Sequence, residues 1–254
     1  MTPNEFGVIC EKIRHYTDYI YLHLMGEPLL HKDLDELLSI AKAHGFKVCI
    51  TTNGTLLDKK ACVLEKYADI IHKISVSLHS FEGNEDAENL EAYVSLCARA
   101  CIELAQKGVI CAFRLWNEGG KNEKNTQIFA LLSQEFEKNV ADIPLDVRGN
   151  RKLGQRLYLE SAEKFDWPDM AASEGGVEFC LGLRQQAAVL CDGTVVPCCL
   201  DGEGQIPLGN LFTQEFHEIM TSPRAQAIVD GFSRRQPTEE LCRRCGYARR
   251  FSKG

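Results

Sequence analysis

No stretch of the 254 residues approaches the ~20 consecutive apolar residues that a membrane-spanning helix needs. The N-terminus also lacks the charged-then-apolar segment of a secretion signal, so the expected location is the cytoplasm, where thiols stay reduced. Basic residues are not in excess: 29 Lys and Arg stand against 36 Asp and Glu, a net charge of −7. That balance argues against a general nucleic-acid binder. There is no internal repeat and no low-complexity tract. Apolar residues at 44% and charged residues at 26% are ordinary for a globular chain, which argues against disorder.

What the chain does have is cysteine, twelve in all. In a reducing compartment a surplus of this kind points to metal or redox chemistry more than to disulfides. Cys10, Cys49, Cys62, Cys97, Cys101 and Cys111 sit singly within helix or strand patterns. They are read as small, buried apolar residues. The other six cluster from Cys180 onward.

The first two-thirds of the chain alternates between two periods. Residues 3–17 read as a helix, with Thr2 as cap, Pro3 in the first turn and Glu5 completing a Thr-x-x-Glu box. Strands are expected at 19–24, 47–51, 72–78 and 109–115, with a short one near 145–147. Helices are expected at 33–44, 58–67, 88–106 and 123–138, the first and third of them stopped by Gly45 and Gly108. Strands alternating with helices of this length imply βαβ units, a parallel sheet and an α/β fold. Five strands are fewer than the eight of a closed barrel. From about residue 150 the periodicity fades into a basic, glycine-punctuated stretch that reads as a connection.

In the tail, Cys242-Arg-Arg-Cys245 is a pair spaced to reach one metal centre. Residues 189–196 read as a β-hairpin because Asp192-Gly193 lies between β-branched residues. That hairpin leads to Pro197-Cys198-Cys199. Four thiolates suit zinc or an iron–sulfur cluster. A structural zinc site usually draws on two close-spaced cysteine pairs and there is one here, which favours the cluster and leaves zinc open.

The spacing from Cys180 through Gly193 to Cys198 resembles the opening of the SPASM domain, C-x₉₋₁₅-G-x₄-C, and Cys242-x-x-Cys245 resembles its next motif. SPASM domains follow the barrel of many radical S-adenosylmethionine (radical SAM) enzymes. The front of the chain agrees. Leu24-Met-Gly-Glu-Pro28 resembles the Gly-Gly-Glu-Pro motif of those barrels, with Met25 in place of the first glycine. Thr52-Asn-Gly54 is similar to the turn after the next strand. Ser75-Val-Ser-Leu-His79 resembles the family's Ser-Leu-Asp segment, with His79 in place of Asp.

The resemblance implies a partial radical SAM (β/α) barrel over 1–150 lacking its first strand, a connection over 151–178, and a shortened SPASM-like domain over 179–254. It implies Cys180, Cys198, Cys242 and Cys245 as ligands of one auxiliary 4Fe–4S cluster, with Cys191 and Cys199 left over. It implies S-adenosylmethionine as cofactor, with Gly26, Glu27, Asn53, Ser77 and Arg114 facing it; Asn117 is a further candidate at the same mouth. The implied activity is of oxidoreductase or transferase type: reductive cleavage of S-adenosylmethionine and radical hydrogen abstraction. The implied partners are a peptide substrate and an electron donor such as a flavodoxin or ferredoxin.

The family binds its catalytic cluster with C-x₃-C-x₂-C, and that spacing occurs nowhere in the sequence. Cys97-x₃-Cys101 comes nearest and lacks the third cysteine. The intact cofactor-side motifs lead to the expectation of an N-terminally truncated enzyme. Its competitor is a binding or scaffold protein with a structural four-cysteine zinc or iron–sulfur site. The basic patches at Arg148–Arg156 and around Cys242–Arg250 are read as solvated surface or as counter-charge to a cluster, ahead of a nucleic-acid site.

Overall fold

The computed structural model describes residues 1–83 and 89–251. The chain forms two compact units, one of Thr17–Lys164 and one of Met1–Tyr16 with Phe165–Gly254. Among the described residues no helix is long and apolar enough to cross a membrane.

The unit Thr17–Lys164 is built on a six-stranded sheet. Its strands are β1 (Tyr19–Leu22), β2 (Lys47–Thr52), β3 (Ile71–Ser77), β4 (Ile110–Glu118), β5 (Asn150–Gly154) and β6 (Leu157–Glu163), in the order β1-β2-β3-β4-β6-β5. Neighbours pair in parallel from β1 to β6, and only β5 runs antiparallel, on β6. The helices between strands fall close to expectation: α2 (Leu34–Ala43), α3 (Ala61–Lys66), α4 (Leu90–Gln106) and α5 (Asn125–Glu135). The residue expected to start the fourth helix, residue 88, lies outside the described residues. Gly45 and Gly108 take φ of +75° and +98°, the left-handed conformation that ends a helix.

One sheet face is apolar because alternate residues of each strand share a side. Val48 and Ile50, Ile74 and Val76, Cys111, Phe113 and Leu115, and Leu157 and Leu159 are buried. They meet the buried stripes of the helices, which in α4 include Val94, Cys97, Cys101 and Leu104. At about 1.5–3 kcal/mol per buried aliphatic side chain, this face holds the unit together. The opposite face carries Thr51, Lys73, Arg114 and Glu160, which bond to one another across the strands.

Two expectations need correction here. Residues 150–154 and 157–163 were read as part of a connection, yet they form a hairpin whose second strand completes the parallel sheet beside β4. The short strand near 145–147 reduces to a single bridge between Leu145 and Arg151. The local pattern misleads because a charged strand such as Asn-Arg-Lys-Leu-Gly has no alternation of its own. Its pairing is set by β6.

In the other unit, α1 (Pro3–Ile13) has the expected capping box: the Thr2 amide donates to Glu5 at 2.7 Å and the Glu5 amide to Thr2 at 3.3 Å. This helix packs within the unit that contains the C-terminal residues. Ile9 lies in one core with Val195, Leu211, Ile228, Phe232 and Leu241. Lys12 binds the Gln214 carbonyl at 2.8 Å and the Glu215 carboxylate at 3.1 Å. Three short antiparallel strands follow, β7 (Ala188–Val189), β8 (Thr194–Val196) and β9 (Gly209–Asn210), then helices α6 (Phe216–Met220), α7 (Pro223–Ser233) and α8 (Glu240–Arg243).

Candidate functional site

The predicted strand-end residues gather at the C-terminal ends of β1 to β4, where a parallel sheet places its ligand groups. Glu27 acts first as a clamp. One carboxylate oxygen accepts the Leu29 amide at 3.0 Å and the other the Asn53 amide at 2.7 Å, so the loop after β1 is tied to the end of β2. A carboxylate has about four acceptor positions, so each oxygen keeps capacity for a ligand donor. Gly26 beside it has φ +85° and open space where a Cβ would stand. Its backbone is accessible, and glycine is required there by conformation alone.

The Asn53-Gly54 turn is held from behind. Asn53 accepts the Thr55 amide and hydroxyl through its side chain, and its carbonyl accepts the Tyr93 hydroxyl at 2.5 Å. Ser77 ends β3; its carbonyl accepts the Ser80 hydroxyl, and its own hydroxyl has no partner among the described residues. His79, in the position where the family has Asp, places Nδ1 3.0 Å from the Arg114 carbonyl and 3.4 Å from the Trp116 amide. Burial holds its imidazole below the usual range. That ring ties the exit of β3 to β4.

Arg114 is fixed from three sides. Its Nε donates to Glu160 at 3.2 Å, its Nη1 to Thr51 at 3.4 Å, and its guanidinium lies 4.5 Å from the Trp116 ring centre. Asn117 does not share this role: it exchanges amide hydrogen bonds with Asn125 at 2.9 and 3.0 Å and donates to the Lys121 carbonyl. Both ends of its amide are occupied in a buried structural pair. Glu160, Lys73 and Trp116 were missed in the sequence. Nothing local marks them, because they meet only when distant strands pair.

In the other unit the four cysteines of the proposed metal site are electrostatic neighbours. Cys180, Cys198 and Cys245 all raise the Cys242 thiol, after burial as the main cause. Burial pushes Cys198 up to about 12, with Cys199, Cys180 and Cys245 adding to it. Cys245 is raised chiefly by burial, while the backbone N–H groups of Ala248 and Tyr247 and the charge of Arg249 favour its thiolate. The Leu200 N–H does the same for Cys198.

Four soft donors within electrostatic reach of one another, with backbone N–H groups directed at two of the sulfurs, are of the chemistry an iron–sulfur cluster takes. Among the described residues no three His, Cys, Asp or Glu side chains form a group spaced to hold a single metal ion. A cluster accepts a wider spacing because each cysteine binds its own iron. Cys191 is exposed on the hairpin, and Cys62, expected in the core, is exposed on α3; the other five early cysteines are buried.

The local chain explains the placement. In the hairpin, Asp192 accepts the Thr194 amide at 3.0 Å and Gly193 has φ +84°; a Cβ there would stand 2.7 Å from Phe212. Asp201, also missed by sequence, is buried and accepts the amides of Gln205 and Ile206, both at 2.8 Å. It closes the loop that begins at Cys198. Asp201→Ala leaves two amides unpaired, and a loss of about 2–4 kcal/mol in urea unfolding is expected, with reduced iron uptake.

The arginines between Cys242 and Cys245 are engaged internally. Arg243 bonds Glu174 at 2.9 Å and the carbonyls of Pro237 and Thr238, and Arg244 pairs with Glu240 at 2.9 Å and binds the Ala172 carbonyl. They fasten segments of this unit together.

Residues 180–246 match the sequence model of SPASM, described as an iron–sulfur cluster-binding domain, and residues 1–108 match that of the radical SAM superfamily. The chain belongs to the radical SAM/SPASM proteins. A relative, the Fe-coproporphyrin III synthase of Methanosarcina barkeri (strain Fusaro / DSM 804), is 23% identical over 167 residues, 65% of this chain. The match spans 42% of that protein, less than half its length.

Among solved structures, BtrN in complex with AdoMet and 2-DOIA aligns with a TM-score of 0.56 at 17% identity, covering 96% of this chain and 80% of BtrN. SuiB of Streptococcus suis aligns with a TM-score of 0.57 at 15% identity, covering 100% and 68%. At such identities the likeness establishes the radical SAM fold. The two domains together imply a 4Fe–4S cluster and S-adenosylmethionine as cofactors.

Proposed function

We propose that this radical SAM/SPASM chain holds one auxiliary 4Fe–4S cluster on Cys180, Cys198, Cys242 and Cys245. We further propose that it receives S-adenosylmethionine at the strand ends marked by Gly26, Glu27, Asn53, Ser77 and Arg114. The observation that carries the reading is that Cys180 and Cys245 lie within electrostatic reach of both Cys198 and Cys242, with N–H groups directed at Cys198 and Cys245.

Reductive cleavage of S-adenosylmethionine and hydrogen abstraction would need a catalytic cluster besides this auxiliary one, and the C-x₃-C-x₂-C that holds it in the family is not among these residues. The protein's own part is positional. Glu27 offers its remaining acceptor capacity to an ammonium, the open backbone at Gly26 allows close approach, and the Ser77 hydroxyl is available to a ribose. With all four cysteines used as ligands, the auxiliary cluster serves electron transfer with a donor such as a flavodoxin or ferredoxin. A precursor-peptide complex is known for SuiB, and a peptide is the proposed substrate class here.

The 254 residues contain no C-x₃-C-x₂-C, so the reconstituted chain with reductant and S-adenosylmethionine is expected to form no 5′-deoxyadenosine, read by chromatography. It is expected to bind S-adenosylmethionine all the same, and Glu27→Ala should weaken that binding roughly tenfold in calorimetry. Metal analysis decides the tail: iron and sulfide support the reading, and colourless stoichiometric zinc would overturn it in favour of a structural site.

A further inference from the structure

Residues 172–175 form no helix or strand, yet they are fastened to the Cys242-Arg-Arg-Cys245 turn. The Ala172 carbonyl accepts Arg244 at 2.7 Å, and the Glu174 carboxylate accepts Arg243 at 2.9 Å. The Gly175 amide donates to the Arg243 carbonyl at 2.9 Å. The two arginines of the turn are spent on this attachment. Arg249, four residues after Cys245, is used differently.

The Arg249 guanidinium lies against Gly175. A Cβ on that glycine would stand 2.5 Å from Nη2 and 2.6 Å from Cζ, and closer still to Nε. Gly175 is not among the residues with left-handed φ, so glycine is needed there for space and not for conformation. Arg243 and Arg244 share Glu174, whereas Arg249 makes no ion pair among the described residues. Its chain neighbour Ala248 directs an N–H at the Cys245 sulfur, and the Arg249 charge is felt at the same sulfur.

We infer that Arg249, seated on the bare backbone of Gly175, is the counter-charge that raises the reduction potential of the auxiliary cluster. Gly175 is a positioning residue that acts through Arg249. This rests on the proposed four-cysteine cluster and names what tunes it. Reduction adds a negative charge to a site already ringed by thiolates, and a cation held beside one ligand favours the reduced form. Arg250 is the comparison. It is also exposed, but its guanidinium lies 4.0 Å from the Tyr247 ring centre and 5.7 Å from that of Phe165.

Redox titration of the reconstituted full-length chain, followed by visible absorption, reads the effect. Arg249→Gln should lower the reduced-to-oxidised ratio at a fixed poise about threefold, roughly 30 mV at about 59 mV per tenfold for one electron. Arg249→Lys keeps the charge and should stay near the parent. Gly175→Ala displaces the guanidinium while leaving every charge in the chain, and it should shift the potential in the same direction as Arg249→Gln. Arg250→Gln removes an equal charge and should shift it less. All four variants should hold the parent's iron. Because Arg249 is exposed, its effect should shrink in about 1 M salt, where the screening length falls to about 3 Å.

A purely structural Arg249 predicts otherwise. Lost iron in Arg249→Gln, or full iron at the parent's potential in either Arg249→Gln or Gly175→Ala, would overturn the inference. Equal shifts in Arg249→Gln and Arg250→Gln would do so as well, since net charge alone would then explain them. Metal analysis of the parent keeps the two readings apart. Zinc there overturns the cluster and this inference with it, whereas full iron with unmoved potentials overturns this inference alone.

Discussion

Cys242→Ser is expected to reduce iron in the reconstituted protein from a full cluster to a small residue, and Cys245→Ser to do the same. The physical reason is the cost of the bare site. Burial pushes Cys198 up to about 12, and Cys242 and Cys245 are raised as well, so without metal these thiols stay protonated. Four thiolates so close together are stable only when cationic iron neutralises them, and assembly of the cluster releases protons. Removing one ligand leaves an iron open to solvent and three cysteines that no longer enclose it.

The loss should extend to stability. Cys245 belongs to the core that includes Leu241, Ala248 and Phe232, so metal binding and packing of this unit are linked. The bound cluster stabilises the fold by mass action, and the variants should melt at lower temperature than the loaded parent. Cys191→Ser is the control. Its side chain is exposed on the hairpin, and iron content and melting should both match the parent. Visible absorption with iron and sulfide analysis measures the outcome, and a Cys242→Ser protein with full iron would remove Cys242 from the ligand set.

Gly54→Ala should be the most damaging single-methyl change in the sheet unit. Gly54 has φ +84°, and an added Cβ would stand 2.7 Å from Cys97 Sγ and 2.9 Å from Val76 Cγ1. Left-handed backbone costs an alanine about 1–2 kcal/mol, and forcing apart packed groups about 1–3 more. A loss of about 2–5 kcal/mol in denaturant unfolding is expected.

Gly119→Ala separates the two causes. Its φ is +76° with nothing within 4 Å of the added methyl, so it carries the conformational cost of about 1–2 kcal/mol alone. Because the Asn53 and Gly54 carbonyls also receive the Tyr93 hydroxyl and the Cys97 thiol, Gly54→Ala should disturb the neighbouring Asn53 amide that Glu27 holds. Weakened S-adenosylmethionine binding should accompany the lost stability, whereas Gly119→Ala should leave it intact.

The features legible in the residues were those written locally. A capping box needs two residues three apart, and Thr2 with Glu5 was sufficient. Asp192-Gly193 between β-branched residues specified its hairpin, because few residues other than glycine accept the φ of +84° found there. The alternation of strand and helix specified a parallel sheet. Asn117 shows the limit: its place at a strand end suggested the mouth, and a buried amide pair with Asn125 claimed it.

Tertiary structure alone decided whatever depends on partners far apart in the chain. Lys73 and Glu160 are 87 positions apart and Arg114 and Glu160 are 46, so no window of sequence could show that one carboxylate serves both cations. The same holds for β6, whose residues carry little local signal and join the sheet because β4 offers an unpaired edge. It holds too for α1, which is amphipathic in any context and whose partner was settled by the core around Ile9. Local sterics and capping act over a few residues and can be read directly. Burial and charge pairing act between whichever residues the fold brings together, and they exist only once it has formed.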